Sequence, residues 1–156
     1  MSAVEERLAA MGSSVPDVVP PVAAYVPALR QGDWVFVSGQ LPMRDGAMPA
    51  TGKVGDGPGQ VSPEAAKQLA AFCALNGIAA VKSVIGDLDK VVRIVKVVGF
   101  VAADPSFTGV PGVVNGASEL LGAVFGDAGV HARSAVGVSA VSYTHLRAHE
   151  TVLDLV

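Results

Sequence analysis

The segment from Lys90 to Val101 constrains the fold more than any other, because it is rich in β-branched residues and apolar on both faces of an extended strand. Side chains alternate along a strand, so one face would carry Val92, Ile94, Val98 and Phe100, and the other Val95, Val97 and Val101. Both faces must be covered from water. We therefore expect a central strand with helices on one side and neighbouring subunits on the other.

Two helices are predicted around this strand. The first begins at Ser62, which can cap a helix, with Pro63 in its first turn and the acidic Glu64 near the positive end of the helix dipole. Residues then recur at helical spacing until Gly86 ends the run. The second helix has apolar residues at helical spacing between Val113 and Val124.

Other segments have the composition of strands. Residues 34–41 are β-branched and aromatic, and the pair Asp45-Gly46 is favoured in tight hairpin turns, which predicts a returning strand at about residues 48–54. A further strand is predicted at residues 133–141. A hairpin, a helix, a strand, a second helix and a further strand in this order favour an α+β fold, in which both helices pack on one face of a sheet.

The two ends of the chain differ from this middle part. Residues 1–27 are predicted to form a short helix and a proline-containing extended arm. From Ser142 to Thr151 the sequence lacks the alternation of a strand, and it resembles a string that sequencing-adapter read-through adds to unrelated translations. We expect one domain at residues 1–141 and a poorly packed, atypical tail at residues 142–156.

The sequence gives little reason to expect a metal site. His145 and His149 lie four residues apart, as two ligands on one helix face would, and Glu150 follows them, but no further ligand accompanies the three. Cys73 is the only cysteine, so neither an internal disulfide nor a cysteine-based metal site can form. We predict that no metal is bound.

Charge is scarce in this chain. Charged residues make up 16% of it, against about 25% in typical soluble domains. Hydrophobic residues make up 51%. So little charge would not cover the surface of a lone monomer, which predicts an oligomer with apolar contacts between its subunits.

The same composition bears on partners and location. A net charge of -3 and a pI near 5.5 give no electrostatic reason for nucleic-acid binding, and aromatic residues for base stacking are few. Charged residues interrupt the apolar runs before the roughly 18 residues that a membrane span needs. The N-terminus lacks the basic-then-apolar order of a secretory signal. We expect a cytoplasmic protein without nucleic-acid or membrane partners.

Arg133 is the residue that most suggests a binding site. A guanidinium presents a rigid fork of donors that matches a carboxylate. The opposite side of its strand would join the core through Val136 and Val138. The strand positions on its own side are small, which would leave room for a ligand: Ala135, Gly137 and Ser139. The alternative is a solvent-exposed arginine at the start of an edge strand.

A family resemblance rests on four segments in a fixed order: Tyr25, Ser38-Gly39-Gln40-Leu41-Pro42, Asn115 and Ala132-Arg133-Ser134. Over about residues 22–141 the chain resembles the reactive intermediate deaminase (RidA/YjgF) family, and within it a longer, less characterised subfamily. The resemblance implies a chorismate-mutase-like fold, a mixed β-sheet with two helices packed on one face. It also implies a homotrimer with active sites between subunits.

The resemblance further implies an activity. Family members hydrolyse 2-imino or 2-enamino acids to 2-keto acids and ammonia without a metal or an organic cofactor. Arg133 would be the catalytic residue that binds the substrate carboxylate. The other substrate-binding residues implied are Tyr25, Ser38, Gly39, Asn115 and the backbone near Ala135, where alanine replaces a cysteine of many members.

A structural role is the alternative for four of these residues. Tyr25 would anchor the arm, and Ser38 would form a hydrogen bond to backbone. Gly39 would serve the end of a strand, and Asn115 would hold the start of a helix.

The water-activating acid is the main departure from the family. Many members carry two alternating glutamates in a last strand, and counting from Arg133 places these positions at Ala148 and Glu150. The strand itself is expected to be absent, and with it the role of Glu150 as the acid and one edge of the sheet. His131 is a second candidate for the base, although loop histidines more often face solvent.

Two functions follow from these features. The first is an enamine or imine deaminase. The second is a non-catalytic trimer that binds small carboxylates such as 2-keto acids and acts as a sensor or interaction module. Release of ammonia from 2-aminoacrylate separates them. An endoribonuclease is disfavoured by the acidic pI and the lack of a basic patch.

Overall fold

The computed structural model describes residues 1–21 and 23–141, and the backbone of residues 150–155. In chain order its helices and strands are α1 (Ala3–Ala10), β1 (Ala28–Gln31), β2 (Trp34–Val37), α2 (Pro63–Ile85), β3 (Ile94–Ala102), α3 (Val110–Phe125), β4 (Ala132–Val138) and β5 (Glu150–Leu155). Short 3-10 helices follow α2 and α3, at Leu88–Lys90 and Gly126–Gly129.

The strands form one mixed sheet in the order β1-β2-β5-β3-β4. β3 and β4 are parallel and joined through α3, and the other neighbouring pairs are antiparallel. The helices α2 and α3 pack against each other and against the sheet. This architecture confirms the predicted α+β fold. The predicted start and stop of α2 also agree, since Ser62 caps it and Gly86 ends it. The helix α3 contains the predicted run from Val113 to Val124 but begins earlier, at Val110.

Within the described residues, the central strand β3 is covered on one face only. Val97, Gly99 and Val101 are buried on the helix side, whereas Val98 and Phe100 on the outer side are half-buried. A bulge shifts the register between Ile94 and Lys96, so Ile94 is also fully buried, on the face opposite to the predicted one. Cover of the outer face by another subunit stays a prediction.

The first hairpin lies earlier in the chain than predicted. β1 and β2 are joined through Gly32, whose φ of 60° suits a tight turn. The turn at Asp45-Gly46 is present, with φ values of 52° and 78°, but it closes only a single bridge between Arg44 and Ala47. No strand is assigned at residues 48–54, where Pro49 and Gly52 do not favour a ladder.

The strand that was expected to be absent is present in the middle of the sheet. β5 pairs antiparallel with β2 on one side and with β3 on the other. Read as one strand, Glu150–Leu155 has Glu150, Val152 and Asp154 at one set of alternate positions and Thr151, Leu153 and Leu155 at the other, so both charges fall in one set. It also satisfies backbone groups of two strands that would otherwise lack partners. The predicted histidine pair, His145 and His149, lies outside the described residues.

The helix α1 is tied to the rest of the fold by polar contacts. Ser2 and Glu5 form a capping box, and the Glu5 carboxylate accepts a hydrogen bond from Lys82 of α2. These bonds lower the pKa of Glu5 from 4.5 to about 2, with the Lys82 contact as the main cause. Arg7 Nη1 donates to the Val124 carbonyl at the end of α3, 2.7 Å away.

The long helix α2 is a core helix. Its 23 residues are long and apolar enough to cross a membrane by length and composition, but 56% of its most apolar stretch is buried inside the fold. It packs closely on α3 at Gly116, where a Cβ atom would lie 1.8 Å from the Lys67 carbonyl oxygen. The two helices can approach this closely only because position 116 has no side chain.

We predict that Gly116→Ala destabilises the protein by about 1 to 3 kcal/mol, because the added methyl group meets helix backbone that cannot yield without moving α2 from α3. Urea unfolding measures the change. Gly122→Ala is the matched control in the same helix, since its Cβ meets nothing within 4 Å. It should stabilise by up to about 1 kcal/mol through helix propensity alone. Equal effects of the two variants would contradict the close helix contact.

A chain that ends at Val141 should lose its cooperative thermal unfolding transition, because removal of β5 leaves β2 and β3 without their shared partner. Circular dichroism on heating, with the full chain as reference, measures this. A truncated chain that unfolds cooperatively at the same temperature would show that β5 contributes nothing to the sheet.

Candidate functional site

Arg133 lies on β4, and its side chain reaches the helix α3. Its Nη1 atom donates to Asn115 Oδ1 at 2.7 Å and to Ser118 Oγ at 3.3 Å. These two residues lie three apart on α3 and so share one helix face. Arg133 is therefore held by its own chain, unlike the freely exposed arginine that was the alternative.

The small residues beside Arg133 make room for the helix. A Cβ added at Gly137 would lie 3.5 Å from Val110 Cγ2, and Ala135 packs against the core. The predicted core assignment of Val136 is wrong, since this residue is 42% exposed on the outer side of the sheet. An edge strand needs short side chains on its helix side, because α3 crosses it there.

His131 joins the same cluster. Its Nδ1 lies 2.6 Å from the Gly129 carbonyl oxygen and its Nε2 lies 3.0 Å from Ser118 Oγ. A carbonyl only accepts, so we assign the ring proton of neutral His131 to Nδ1. Nε2 then accepts from the Ser118 hydroxyl, and Ser118 in turn accepts from Arg133. A continuous hydrogen-bonded chain runs from the Gly129 carbonyl to Asn115.

The cluster leaves one edge of the Arg133 guanidinium unused. Its Nη1 atom faces two acceptors, whereas Nε and Nη2 have no partner within residues 1–21 and 23–141. Nε–H and Nη2–H point the same way and match the two oxygens of a carboxylate. The Oδ1 atom of Asn115 is taken by Arg133, so its Nδ2 also remains as a donor without a partner in that part of the chain.

The backbone of β4 offers further hydrogen-bonding groups. The Val138 carbonyl accepts from Ala103 N, beyond the end of the β3 ladder. Alternate residues bond to the same neighbour in a parallel ladder, so Ser134 and Val136 also bond to β3. The peptide groups of Ala135 therefore point away from β3, towards the open edge of the described sheet. A role for the Ala135 backbone in binding a ligand stays a prediction.

Three other predicted site residues lie at the far side of the sheet. Ser38 follows β2, and its hydroxyl donates to the Val26 carbonyl at 2.6 Å, which ties down the arm. Gly39 is partly exposed next to it, and Tyr25 is 42% exposed in the arm. β2 lies three strand positions from β4, about 14 Å away. One subunit alone does not bring Tyr25, Ser38 and Gly39 to Arg133.

Glu150 is also separated from Arg133 in this chain. Glu150 begins β5, where its Cα pairs with Phe100, while Arg133 pairs with Val97. The two backbones are thus two strands and three residues apart. Of the two residues proposed as water-activating groups, His131 is the one that the fold brings to the cluster.

Ser118 was missed by reasoning from sequence alone. The available signal was its spacing, because Asn115 and Ser118 are polar residues three apart in a helix that is otherwise largely apolar. Nothing in the local pattern showed that this polar pair would meet an arginine from another element.

Other features of the described chain lie away from this cluster. A surface hollow of about 550 Å³ is lined by residues around the start of α1, including Glu5, Lys82 and Asp89. A smaller one of about 170 Å³ lies between Arg30 and Val91. Within the described residues no group of three or more His, Cys, Asp or Glu side chains could hold a metal ion.

Known proteins share both the sequence and the fold. A family model described as "YjgF/chorismate_mutase-like, putative endoribonuclease" matches residues 5–146. The protein TCP17 of Trypanosoma cruzi is 39% identical over 141 residues, which cover 90% of this chain and 86% of TCP17.

Two solved structures are similar over nearly the whole chain. The Agrobacterium tumefaciens protein Atu1372, of unknown function, is 36% identical with a TM-score of 0.85, covering 98% of this chain and 90% of its own. A Shewanella oneidensis protein described as a "putative endoribonuclease" is 25% identical with a TM-score of 0.89. The match covers 98% of this chain and 99% of the Shewanella protein. The sequence match and the sheet with two helices on one face agree, and this chain belongs to the YjgF/chorismate mutase-like family.

Proposed function

We propose that this protein is a deaminase of small 2-imino and 2-enamino acids, and that Arg133 binds their carboxylate. The proposal rests on how the donors of the Arg133 guanidinium are used. Asn115 and Ser118 accept hydrogen bonds from Nη1, and the Nε–Nη2 edge is left for a ligand. A carboxylate on that edge would form two parallel charge-assisted hydrogen bonds.

The proposed reaction needs water and no redox partner. An enamine is first protonated at its β-carbon and loses a proton from nitrogen, which gives the imine. Water then adds to the imine carbon to give a carbinolamine, the C–N bond breaks, and ammonia leaves as the carbonyl forms. Near Arg133, the other hydrogen-bonding groups without a partner in the described residues are Asn115 Nδ2 and the peptide groups of Ala135, and these would hold the nitrogen or oxygen at the reacting carbon. Fixing the carboxylate orients that carbon towards water.

The proposed site includes a second subunit. Tyr25, Ser38 and Gly39 of a neighbouring copy would form the wall opposite Arg133, since those of the same copy lie about 14 Å away. An apolar outer sheet face supports such an assembly: Leu29, Trp34 and Phe36 are each about half exposed there. We propose a homotrimer, in keeping with the low charge content, and a cytoplasmic location.

A non-catalytic carboxylate-binding trimer is the second candidate. It is favoured by one observation, namely that no carboxylate side chain contacts Arg133 within the described residues. Ammonia release from freshly generated 2-aminoacrylate identifies the enzyme, whereas pyruvate binding without turnover identifies the sensor.

RNA cleavage, the activity in the family description, has less support from this chain. Its net charge is -3, and the hydrogen-bonded cluster of the site contains a single arginine. RNA binding draws mainly on several cations spread along the phosphate backbone.

We predict that purified protein is a trimer by light scattering, and that Phe36→Glu yields monomers without deaminase activity, because a charge then replaces an apolar side chain of the outer sheet face. Met11→Glu is the control, since Met11 is equally exposed but lies at the end of α1. A wild-type protein that stays monomeric at micromolar concentration and yet turns over substrate would refute the shared site.

Both Arg133→Ala and Arg133→Lys should lose most deamination. Removing one charged, partly desolvated contact costs about 2 to 5 kcal/mol, a rate loss of about thirty-fold or more. Lysine keeps the charge but lacks the second donor of the fork. The measurement is kcat/KM for 2-aminoacrylate hydrolysis beside the melting temperature.

Arg30→Ala is the matched control for these variants, because Arg30 is an exposed arginine on β1 whose side chain donates to the nearby Gly32 carbonyl. It should leave turnover unchanged. A folded Arg133→Ala protein with wild-type turnover would remove Arg133 from the mechanism.

A further inference from the structure

We propose that Ser118 and His131 are positioning residues that fix the plane of the Arg133 guanidinium. This inference rests on the proposed function, since it concerns how the carboxylate-binding edge is held. Neither residue needs to touch the substrate. They act through Nη1, on the side of the guanidinium away from the Nε–Nη2 edge.

The role of Ser118 depends on the direction of its hydroxyl proton. A free serine hydroxyl rotates, and in one of its rotamers the proton would point at Arg133 and oppose the guanidinium. The acceptor at His131 Nε2, 3.0 Å away, draws the proton to the other side. The oxygen lone pairs are then directed at Arg133 Nη1.

The role of His131 depends in turn on the Gly129 carbonyl. In the neutral imidazole, the 2.6 Å contact between that oxygen and Nδ1 places the single ring proton on Nδ1, which leaves Nε2 as an acceptor. Gly129 is buried, and a Cβ there would lie 2.3 Å from the Leu121 carbonyl oxygen, so this turn is packed tightly against α3. The imidazole is therefore set by backbone that has little room to move.

Two acceptors on Nη1 restrain the orientation of the guanidinium more than a single acceptor does. Asn115 Oδ1 alone, at 2.7 Å, would leave the planar group free to swing about that single bond. The second acceptor at Ser118, from the next turn of the same helix, fixes the plane itself. A guanidinium held in one plane loses less side-chain freedom when the carboxylate binds.

The experiment is a double-mutant cycle of Ser118→Ala and His131→Phe. Pyruvate serves as the probe, and its dissociation constant is measured by calorimetry. Each single variant should weaken binding about threefold to tenfold, the usual range for one hydrogen bond. The double variant should be no worse than either single one, because His131 acts through Ser118.

Conservative and remote variants serve as controls. Ser118→Thr keeps the hydroxyl and should bind pyruvate like the wild type, and His131→Gln places an amide oxygen near the position of Nε2 and should bind better than His131→Phe. Ser83→Ala removes a hydroxyl that bonds within α2, and should change nothing. Additive losses, or lower melting temperatures with unchanged affinity, would show that Ser118 and His131 serve only packing.

A second readout does not depend on the ligand. Nitrogen-15 spectra of the arginine side chains should show slowed rotation of the Arg133 guanidinium in the wild type. Rotation should be fast in Ser118→Ala, and fast throughout for Arg30. Fast rotation of Arg133 in the wild type overturns the positioning role. Slow rotation without pyruvate binding retains that role and refutes the proposed carboxylate site instead.

Discussion

The close approach of α3 to the sheet and to α2 is the constraint on which the rest of the molecule depends. Gly99 lets the Val114 side chain sit on β3, where a Cβ would lie 2.5 Å from Val114 Cγ2, and Gly116 lets α2 lie directly on the other side of α3. A helix placed even slightly farther out would carry Asn115 and Ser118 beyond reach of Arg133. The hydrogen-bonded cluster around Arg133 therefore depends on the tight packing of α3.

The sequence predicted the elements whose signals are local. The cap at Ser62, the stop at Gly86 and the spacing of apolar residues in α3 depend on neighbours within a few turns, and all were found where expected. Arg133 was singled out for the same reason, since its strand pattern is visible in a few residues.

The remaining features depend on distant partners. β1 is a short strand with one side chain of four buried, and only its pairing with β2 reveals it. The absence of β5 was predicted from the lack of alternation in the residues that precede it. The position of β5 is instead set by the open edges of β2 and β3, with which it pairs. The side of β4 that faces the core was also predicted wrongly, because small residues suit a crossing helix as well as they suit a ligand. Ser118 and His131 come together only through the turn after α3.

The central place of β5 has a consequence for how the protein is made. β1 and β2 form one local unit, and β3, α3 and β4 form another, yet these units meet in the sheet only through a strand that follows both in the chain. On the ribosome both units are synthesised before the strand that joins them, the first well before it and the second only 11 residues before it. Folding therefore finishes after β5 has emerged, and until then two strand edges stay open to other chains, which makes this interval the one in which a chaperone would protect the protein from aggregation.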